Sequence, residues 1–291
     1  MCGIIGYVGE NNAVPYLLKG LHKLEYRGYD SSGIALLKGN EIFVLKRQGK
    51  IQALENAVSP ELFSFCGIGH TRWATHGKPS QKNAHPHLSQ SGTFAIVHNG
   101  IIENADIIKQ TLINEGYSFI SDTDTEVISQ LLERNYRGDV IACLKETLKL
   151  LKGSYALGII HKDFRNTIFC AKKDSPLLVS ATAQGTFISS DTIAVSQYCD
   201  DYYNLEDGEF AEVSDSKIIF FDQDGSEIKK AKIKISAEND DTEKSGFAHH
   251  MLKEIYEGPT TLKKTLNSYI TNGKIKFPLA HIDIKEIEIT E

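Results

Sequence analysis

A thiol stands at the second position of the chain, in Met1-Cys2-Gly3. Cysteine is small enough for the initiator methionine to be removed, which would leave one residue with both a thiol and a free α-amine. An α-amine has a pKa of about 7.7–8.0, so near neutral pH it can take the proton of its own side chain. Cys2 could therefore supply nucleophile and base together, although position two alone also fits an ordinary buried cysteine.

A dense polar run, His-Thr-Arg-Trp-Ala-Thr-His-Gly at residues 70–77, lies where a predicted strand enters a loop. The planar guanidinium of Arg72 suits a carboxylate, which it can bind through two hydrogen bonds. Trp73 is by default a core residue. The histidines of this run, with His85 and His87 nearby, lack the helical spacing and acidic partner of a metal site, so we expect no metal.

The segment His98-Asn99-Gly100 follows an apolar strand. An Asn amide beside a Gly backbone N–H offers two donors directed at one point, as an oxyanion hole requires. Asn-Gly is also the commonest signal of a hairpin turn. Residues 101–104 favour the start of a helix over a return strand, and the local pattern leaves both interpretations open.

Two further charged segments have a structural and a functional interpretation. Arg27 lies in a loop with two glycines that fits a tight helix-to-strand turn, yet its charge could also lie near the N-terminal strand. Asp124 precedes a helix, where acidic residues are expected as caps, and Thr123-x-x-Glu126 has the pattern of a capping box. An unpaired carboxylate at Asp124 could instead bind an ammonium group.

The elements that must position these residues follow from periodicity and turn signals. Strands with one helix among them come first, three helices follow, and short strands complete the first 236 residues. Hairpins dominate over regular βαβ alternation, which predicts an α+β fold of antiparallel sheets covered by helices. The polar, acidic segment 236–245 suits a linker, and residues 249–270 are helical in pattern. The predicted strands are 3–8, 33–37, 42–47, 67–73, 93–98, 155–161, 167–171, 177–180, 186–189, 209–213, 217–221 and 227–235; the helices are 14–24, 104–115, 123–132 and 139–151.

Composition excludes several classes of protein. The 291 residues are 41% hydrophobic with a net charge of -6, and no basic stripe indicates nucleic acid. No apolar run approaches the ~18 residues of a membrane span. Five cysteines without a C-x-x-C pair fit neither a disulfide scaffold nor a zinc site, which favours a reducing cytoplasm.

Taken together, the motifs resemble the class II, or N-terminal nucleophile, glutamine amidotransferases. More narrowly they are similar to the glutaminase half of the glutamine–fructose-6-phosphate aminotransferases, and the resemblance covers nearly the whole chain. The segments that carry it are Cys2-Gly3-Ile4, Glu25-Tyr26-Arg27-Gly28-Tyr29-Asp30-Ser31, residues 70–77, Asn83-Ala84-His85-Pro86-His87, His98 to Asn104, Thr123 to Glu126, and Met251 to Glu257.

The resemblance implies a four-layer αββα sandwich in which Cys2 attacks the side-chain amide of glutamine, with no cofactor. It implies that Asn99 and Gly100 hold the developing oxyanion and that Arg27 belongs to the catalytic group. It further implies that Arg72, helped by Thr75 and His76, binds the α-carboxylate, that Asp124 binds the α-ammonium, and that Trp73 gates the route of ammonia.

The same resemblance divides the chain into a glutaminase domain at 1–236 and, at 237–291, a linker with the beginning of an isomerase half. Fructose 6-phosphate is then a partner only through that missing half or a separate subunit, and the full-length context could be a homodimer. Two alternatives stay open: another class II amidotransferase, such as the one that makes phosphoribosylamine, or a non-catalytic glutamine-binding or assembly fragment.

Overall fold

The fold is that of a computed structural model, which describes residues 2–73, 77–235, 246–247, 250–271 and 274–275. Contacts within the chain divide it into two compact units, residues 1–241 and 242–291. The second unit contains the helix α6, His250–Tyr269, which includes Pro259, and two short paired strands, β16 at Ile270–Thr271 and β17 at Lys274–Ile275. The predicted linker at 236–245 lies outside the described residues.

Two antiparallel sheets form the first unit. Their strands are β1 Gly3–Val8, β2 Ser31–Lys38, β3 Glu41–Gln48, β4 Cys66–Arg72, β5 His87–Leu88, β6 Phe94–Ile102, β7 Gly153–His161, β8 Thr167–Lys173, β9 Leu178–Thr182, β10 Gly185–Ser189, β11 Asp201–Asn204, β12 Phe210–Ser214, β13 Ile218–Phe221, β14 Glu227–Ile228 and β15 Ile233–Lys234. The eight-stranded sheet has the order β15-β11-β9-β10-β1-β4-β2-β3, and the seven-stranded sheet has the order β14-β13-β12-β8-β7-β6-β5.

Alternation along the strands builds the layers, because neighbouring side chains of a strand point to opposite faces of the sheet. Ile4 of β1 packs in the apolar layer between the sheets, together with Ala95 and Val97 of β6. Its neighbour Ile5 packs on the outer face with Leu21. Both faces of these central strands are therefore buried, which fixes the register of the strands that carry the site.

Helices cover the two outer faces. On the eight-stranded sheet lie α1, Ala13–Leu24, and α2, Ile51–Glu55, and the side chain of Asn12 accepts the Val14 N–H at the start of α1. On the seven-stranded sheet lie α3, Ala105–Asn114, α4, Glu126–Asn135, and α5, Val140–Leu148. The prediction of an α+β, four-layer αββα sandwich is confirmed.

Several local predictions were wrong. Strand β6 continues through Ile102, so residues 101 and 102 are not a helix entry. Helix α4 begins at Glu126 without a side-chain cap, and Glu126 accepts the N–H groups of Ile120 and Ser121 instead of closing a capping box. The strand predicted at 227–235 is two short pieces, and α2, β5 and β11 were not predicted. No described helix is long and apolar enough to cross a membrane.

Candidate active site

Cys2 immediately precedes β1, whose register with β4 pairs Gly3 with Thr71 and so brings the thiol to the end of β4. The Trp73 N–H donates to Cys2 Sγ at 3.3 Å, and Sγ lies 3.6 Å from the Trp73 carbonyl oxygen. Burial raises the pKa of the Cys2 thiol, while the Trp73 N–H and the Arg72 charge oppose that rise. A thiol with a raised pKa is protonated at neutral pH and needs a base before it can attack.

Asn99 and Gly100 reach the same place from the other sheet. The Asn99 Nδ2 donates to the Cys2 carbonyl oxygen at 3.1 Å, which links β6 of the seven-stranded sheet to the residue before β1 of the eight-stranded sheet. Gly100 has a φ of 134°, and a Cβ there would lie 2.1 Å from the Ser154 carbonyl oxygen of β7. Only glycine fits this position, and the Asn-Gly pair is part of a strand rather than of a hairpin turn.

Residues on either side of Asn99 and Gly100 form hydrogen bonds with the loop before α4. The Thr125 hydroxyl lies 2.9 Å from His98 Nδ1, and Asp124 Oδ2 accepts the Ile102 N–H at 2.8 Å. Asp124 therefore anchors the end of β6 and is not a helix cap. Its second carboxylate oxygen has no hydrogen bond within the described chain, which leaves it available to a cation.

Arg72 is buried at the end of β4, and its Nη2 donates to the Gly77 carbonyl oxygen at 3.2 Å. Gly77 has a φ of 76°, which favours glycine, and its surroundings include the Asn83 amide. Trp73 is 46% exposed, so its default interpretation as a core residue was wrong. The rings of Trp73 and Tyr29 form a T-shaped contact with centroids 5.8 Å apart. Thr75 and His76 lie outside the described residues.

Arg27 is held beside β1 by residues that the sequence did not single out. Its guanidinium donates to Asp191 Oδ2 at 2.7 Å and to the Ser190 carbonyl oxygen at 3.4 Å. The Ser190 hydroxyl in turn accepts the Ile4 N–H at 2.9 Å, two residues after Cys2. The available signal was the polar Ser-Ser-Asp that ends the predicted strand 186–189.

Four buried histidines lie near Asn99: His70, His85, His87 and His98. Burial lowers the pKa of each of them, and that of His70 falls to about 3, so all four are neutral at physiological pH. Within the described residues no group of three His, Cys, Asp or Glu side chains could hold a metal ion. The Cys2 thiol thus lies beside the main chain of Trp73 and within the field of the Arg72 guanidinium, and the Asn99 amide contacts the main chain of Cys2.

Residues 70–197 match the family model described as a glutamine amidotransferase domain. Over 273 residues the chain is 47% identical to the glutamine–fructose-6-phosphate aminotransferase (isomerizing) of Caldanaerobacter subterraneus subsp. tengcongensis, covering 94% of this chain and 45% of that protein. The protein of that name from Fusobacterium nucleatum is 47% identical, with 95% and 46% covered. The chain therefore contains a glutamine amidotransferase domain.

Solved structures agree with this assignment of a domain. The glutamine phosphoribosylpyrophosphate amidotransferase of B. subtilis superposes with a TM-score of 0.68 at 28% identity, covering 76% of this chain and 49% of that chain. A glutamine aminotransferase class-II domain protein from Silicibacter pomeroyi shares the fold, with a TM-score of 0.51 at 16% identity and 98% of that chain covered. The chain spans about half the length of the curated relatives it matches.

Proposed function

We propose that this chain hydrolyses L-glutamine to L-glutamate and ammonia through a thioester on Cys2. The observation that carries the proposal is that the Asn99 amide lies 3.1 Å from the carbonyl oxygen of Cys2, the residue that bears the thiol. Nucleophile and amide donor would then both lie near the side-chain amide carbon of a bound glutamine.

The α-amine of Cys2, exposed once Met1 is removed, would take the thiol proton as Sγ bonds to the amide carbon of glutamine. Charge passes to the amide oxygen, which the Asn99 Nδ2 and the Gly100 N–H would hold. When the C–N bond breaks, the protonated amine returns its proton to the leaving nitrogen, and ammonia departs. Water then attacks the thioester, which releases glutamate and restores the thiol.

The α-amine is the favoured base because the described histidines near Asn99 already form hydrogen bonds with other groups. His98 accepts from Thr125 through Nδ1 and donates to the Ser154 carbonyl oxygen through Nε2. His70 is neutral, and its Nε2 faces Asn99. Among the described residues, Sγ has hydrogen bonds only with the main chain of Trp73.

Glutamine would be selected through both of its α-substituents. Arg72 would bind the α-carboxylate with help from Thr75 and His76, and the open oxygen of Asp124 would bind the α-ammonium. Arg27 would support the catalytic group through Ser190, which is bonded to β1. Trp73 would gate the route of ammonia, in keeping with its exposed ring.

The pathway role rests on the relatives at 47% identity, whose names describe the aminotransferase that uses fructose 6-phosphate. We expect residues 1–236 to form the glutaminase domain and 237–291 the linker and first part of an isomerase half. Ammonia would then serve glucosamine 6-phosphate synthesis only with the rest of that half or a partner subunit, within a homodimer. All five cysteines are free thiols, which suits a cytoplasmic reaction.

Incubation of the purified chain with glutamine, followed by measurement of glutamate and ammonia in equal amounts, tests the hydrolysis directly. Trapping of a covalent adduct on residue 2 by mass spectrometry tests the thioester. Asparagine, one methylene shorter, serves as the matched control and should be a poor substrate. The absence of glutamate release from a protein with a free Cys2 amine would leave a glutamine-binding fragment as the function.

A further inference from the structure

The orientation of the Asn99 carboxamide decides whether this side chain can stabilise negative charge. Its NH2 end can hold an oxyanion, whereas its oxygen end would repel one. In the structure Asn99 Nδ2 donates to the Cys2 carbonyl oxygen at 3.1 Å, and Asn99 Oδ1 lies 3.0 Å from His70 Nε2. Since the two ends of a carboxamide have nearly the same shape, a neighbour must select between them.

His70 can make this selection because its own proton is fixed by the main chain. Its Nε2 lies 3.0 Å from the His98 carbonyl oxygen, which can only accept a hydrogen bond. Nε2 must therefore bear the hydrogen, and an N–H that also faces Asn99 at 3.0 Å can bond only to its oxygen. The His98 carbonyl oxygen thus determines the tautomer of His70, and that tautomer determines which end of the Asn99 carboxamide faces His70.

The position of the His70 imidazole is itself set by burial, strand pairing and ring stacking. His70 is fully buried on β4, where its main chain pairs with Ile4 and Gly33 on the two neighbouring strands. Its ring stacks on His85 with centroids 4.1 Å apart and planes 26° from parallel. Its Nδ1 is buried and has no hydrogen bond within the described chain, so no competing partner draws the ring away from Asn99.

We propose that His70 is a positioning residue that orients the Asn99 carboxamide so that its NH2 end faces the reacting carbonyl. The proposal rests on the proposed glutaminase function. Because the oxyanion exists only after attack, loss of His70 lowers kcat and leaves the KM for glutamine nearly unchanged. Alkylation of Cys2 by iodoacetamide forms no oxyanion, so its rate is unaffected.

The test compares two substitutions of His70. Leucine fills the space without a donor, and His70→Leu should lower kcat by about 10- to 100-fold, less than the ~10²–10³-fold loss of a whole oxyanion donor. Glutamine can present an amide N–H near the position of Nε2, so His70→Gln should recover at least about threefold of that loss. His161→Leu, which removes a buried imidazole elsewhere in the same sheet pair, is the matched control and should keep the wild-type kcat.

A double-mutant cycle separates positioning from general damage. In an Asn99→Ala background His70→Leu should cost little further kcat, because there is no carboxamide left to orient. Wild-type kcat in folded His70→Leu, or full additivity with Asn99→Ala, would overturn the proposal. If His70→Leu does not fold, His70→Asn, whose shorter side chain stops short of Asn99, takes its place with the same expectations. An inactive wild-type protein would instead refute the proposed function.

Discussion

The two walls of the site are built differently. On the eight-stranded sheet, Cys2 is only partly buried, and its thiol has hydrogen bonds with the main chain of Trp73 alone among the described residues. On the seven-stranded sheet, Asn99 is buried and belongs to a continuous set of hydrogen bonds that includes His70 and Cys2. The nucleophile can therefore change without disturbing the fold, whereas the amide donor is part of the core.

The largest expected effect is on the nucleophile. Cys2→Ala should lower glutaminase activity by about 10³-fold or more, because no other described thiol lies at the site. Its free energy of unfolding should stay within about 1 kcal/mol of wild type, since no side chain among the described residues is hydrogen-bonded to Sγ. Glutamate release and urea unfolding measure the two quantities. Substantial residual activity would show that Cys2 is not the nucleophile.

Asn99→Ala sharpens the comparison because it should affect both activity and stability. Loss of one oxyanion donor typically lowers kcat by about 10²–10³-fold. The truncation also removes the hydrogen bonds of the carboxamide with His70 and with the Cys2 carbonyl oxygen, at about 0.5–1.5 kcal/mol each, which together should cost roughly 1–3 kcal/mol of unfolding free energy. An Asn99→Ala protein as stable as Cys2→Ala would contradict the distinction between the two walls.

Asp124→Asn should mainly raise the KM for glutamine. A hydrogen bond to a charged group is worth about 1.5–3 kcal/mol, which corresponds to roughly a 10- to 100-fold change. The amide oxygen of the substituted side chain would still accept the Ile102 N–H, so the end of β6 should keep its position. Steady-state kinetics with glutamine and with an amide lacking the α-amine give the answer. Equal kcat/KM for mutant and wild type would leave Asp124 a purely structural anchor.

Acid should destabilise the cluster of buried histidines near Asn99. The pKa values of His70, His85, His87 and His98 are lowered by burial, so the folded state keeps them neutral while the unfolded chain binds protons below about pH 6.5. Their contribution to stability is complete above that pH and is lost as the pH falls from it toward the lower folded-state pKa values, at up to about 1.4 kcal/mol per pH unit for each histidine. Urea unfolding at about pH 7, 6 and 5.5 measures the slope, and His70→Gln should reduce it. A flat profile would contradict the burial of this cluster.

Much of the architecture was accessible from the sequence, because strands buried on both faces and amphipathic helices leave clear periodic patterns. The short elements were not: α2 and β5 have five and two residues, too few to show a period. Asn99-Gly100 stayed ambiguous because a strand with a positive φ at Gly100 and a hairpin turn use the same two residues. Ser190 and Asp191 act on Arg27 across 163 and 164 positions, a separation that no local pattern encodes.

The most direct test of the central claim concerns the N-terminus. If the α-amine of Cys2 is the base, retained Met1 converts that nitrogen into an amide that cannot take a proton, and the thiol loses its base. Mass spectrometry of the intact protein, paired with glutamate release, should find activity only in the fraction that begins at Cys2. A fixed N-terminal tag should abolish activity in a folded protein, while the same tag after Glu291 should leave it unchanged. Full activity in protein shown to retain Met1 would contradict the amine as base and direct the search to His70, His76 and His98.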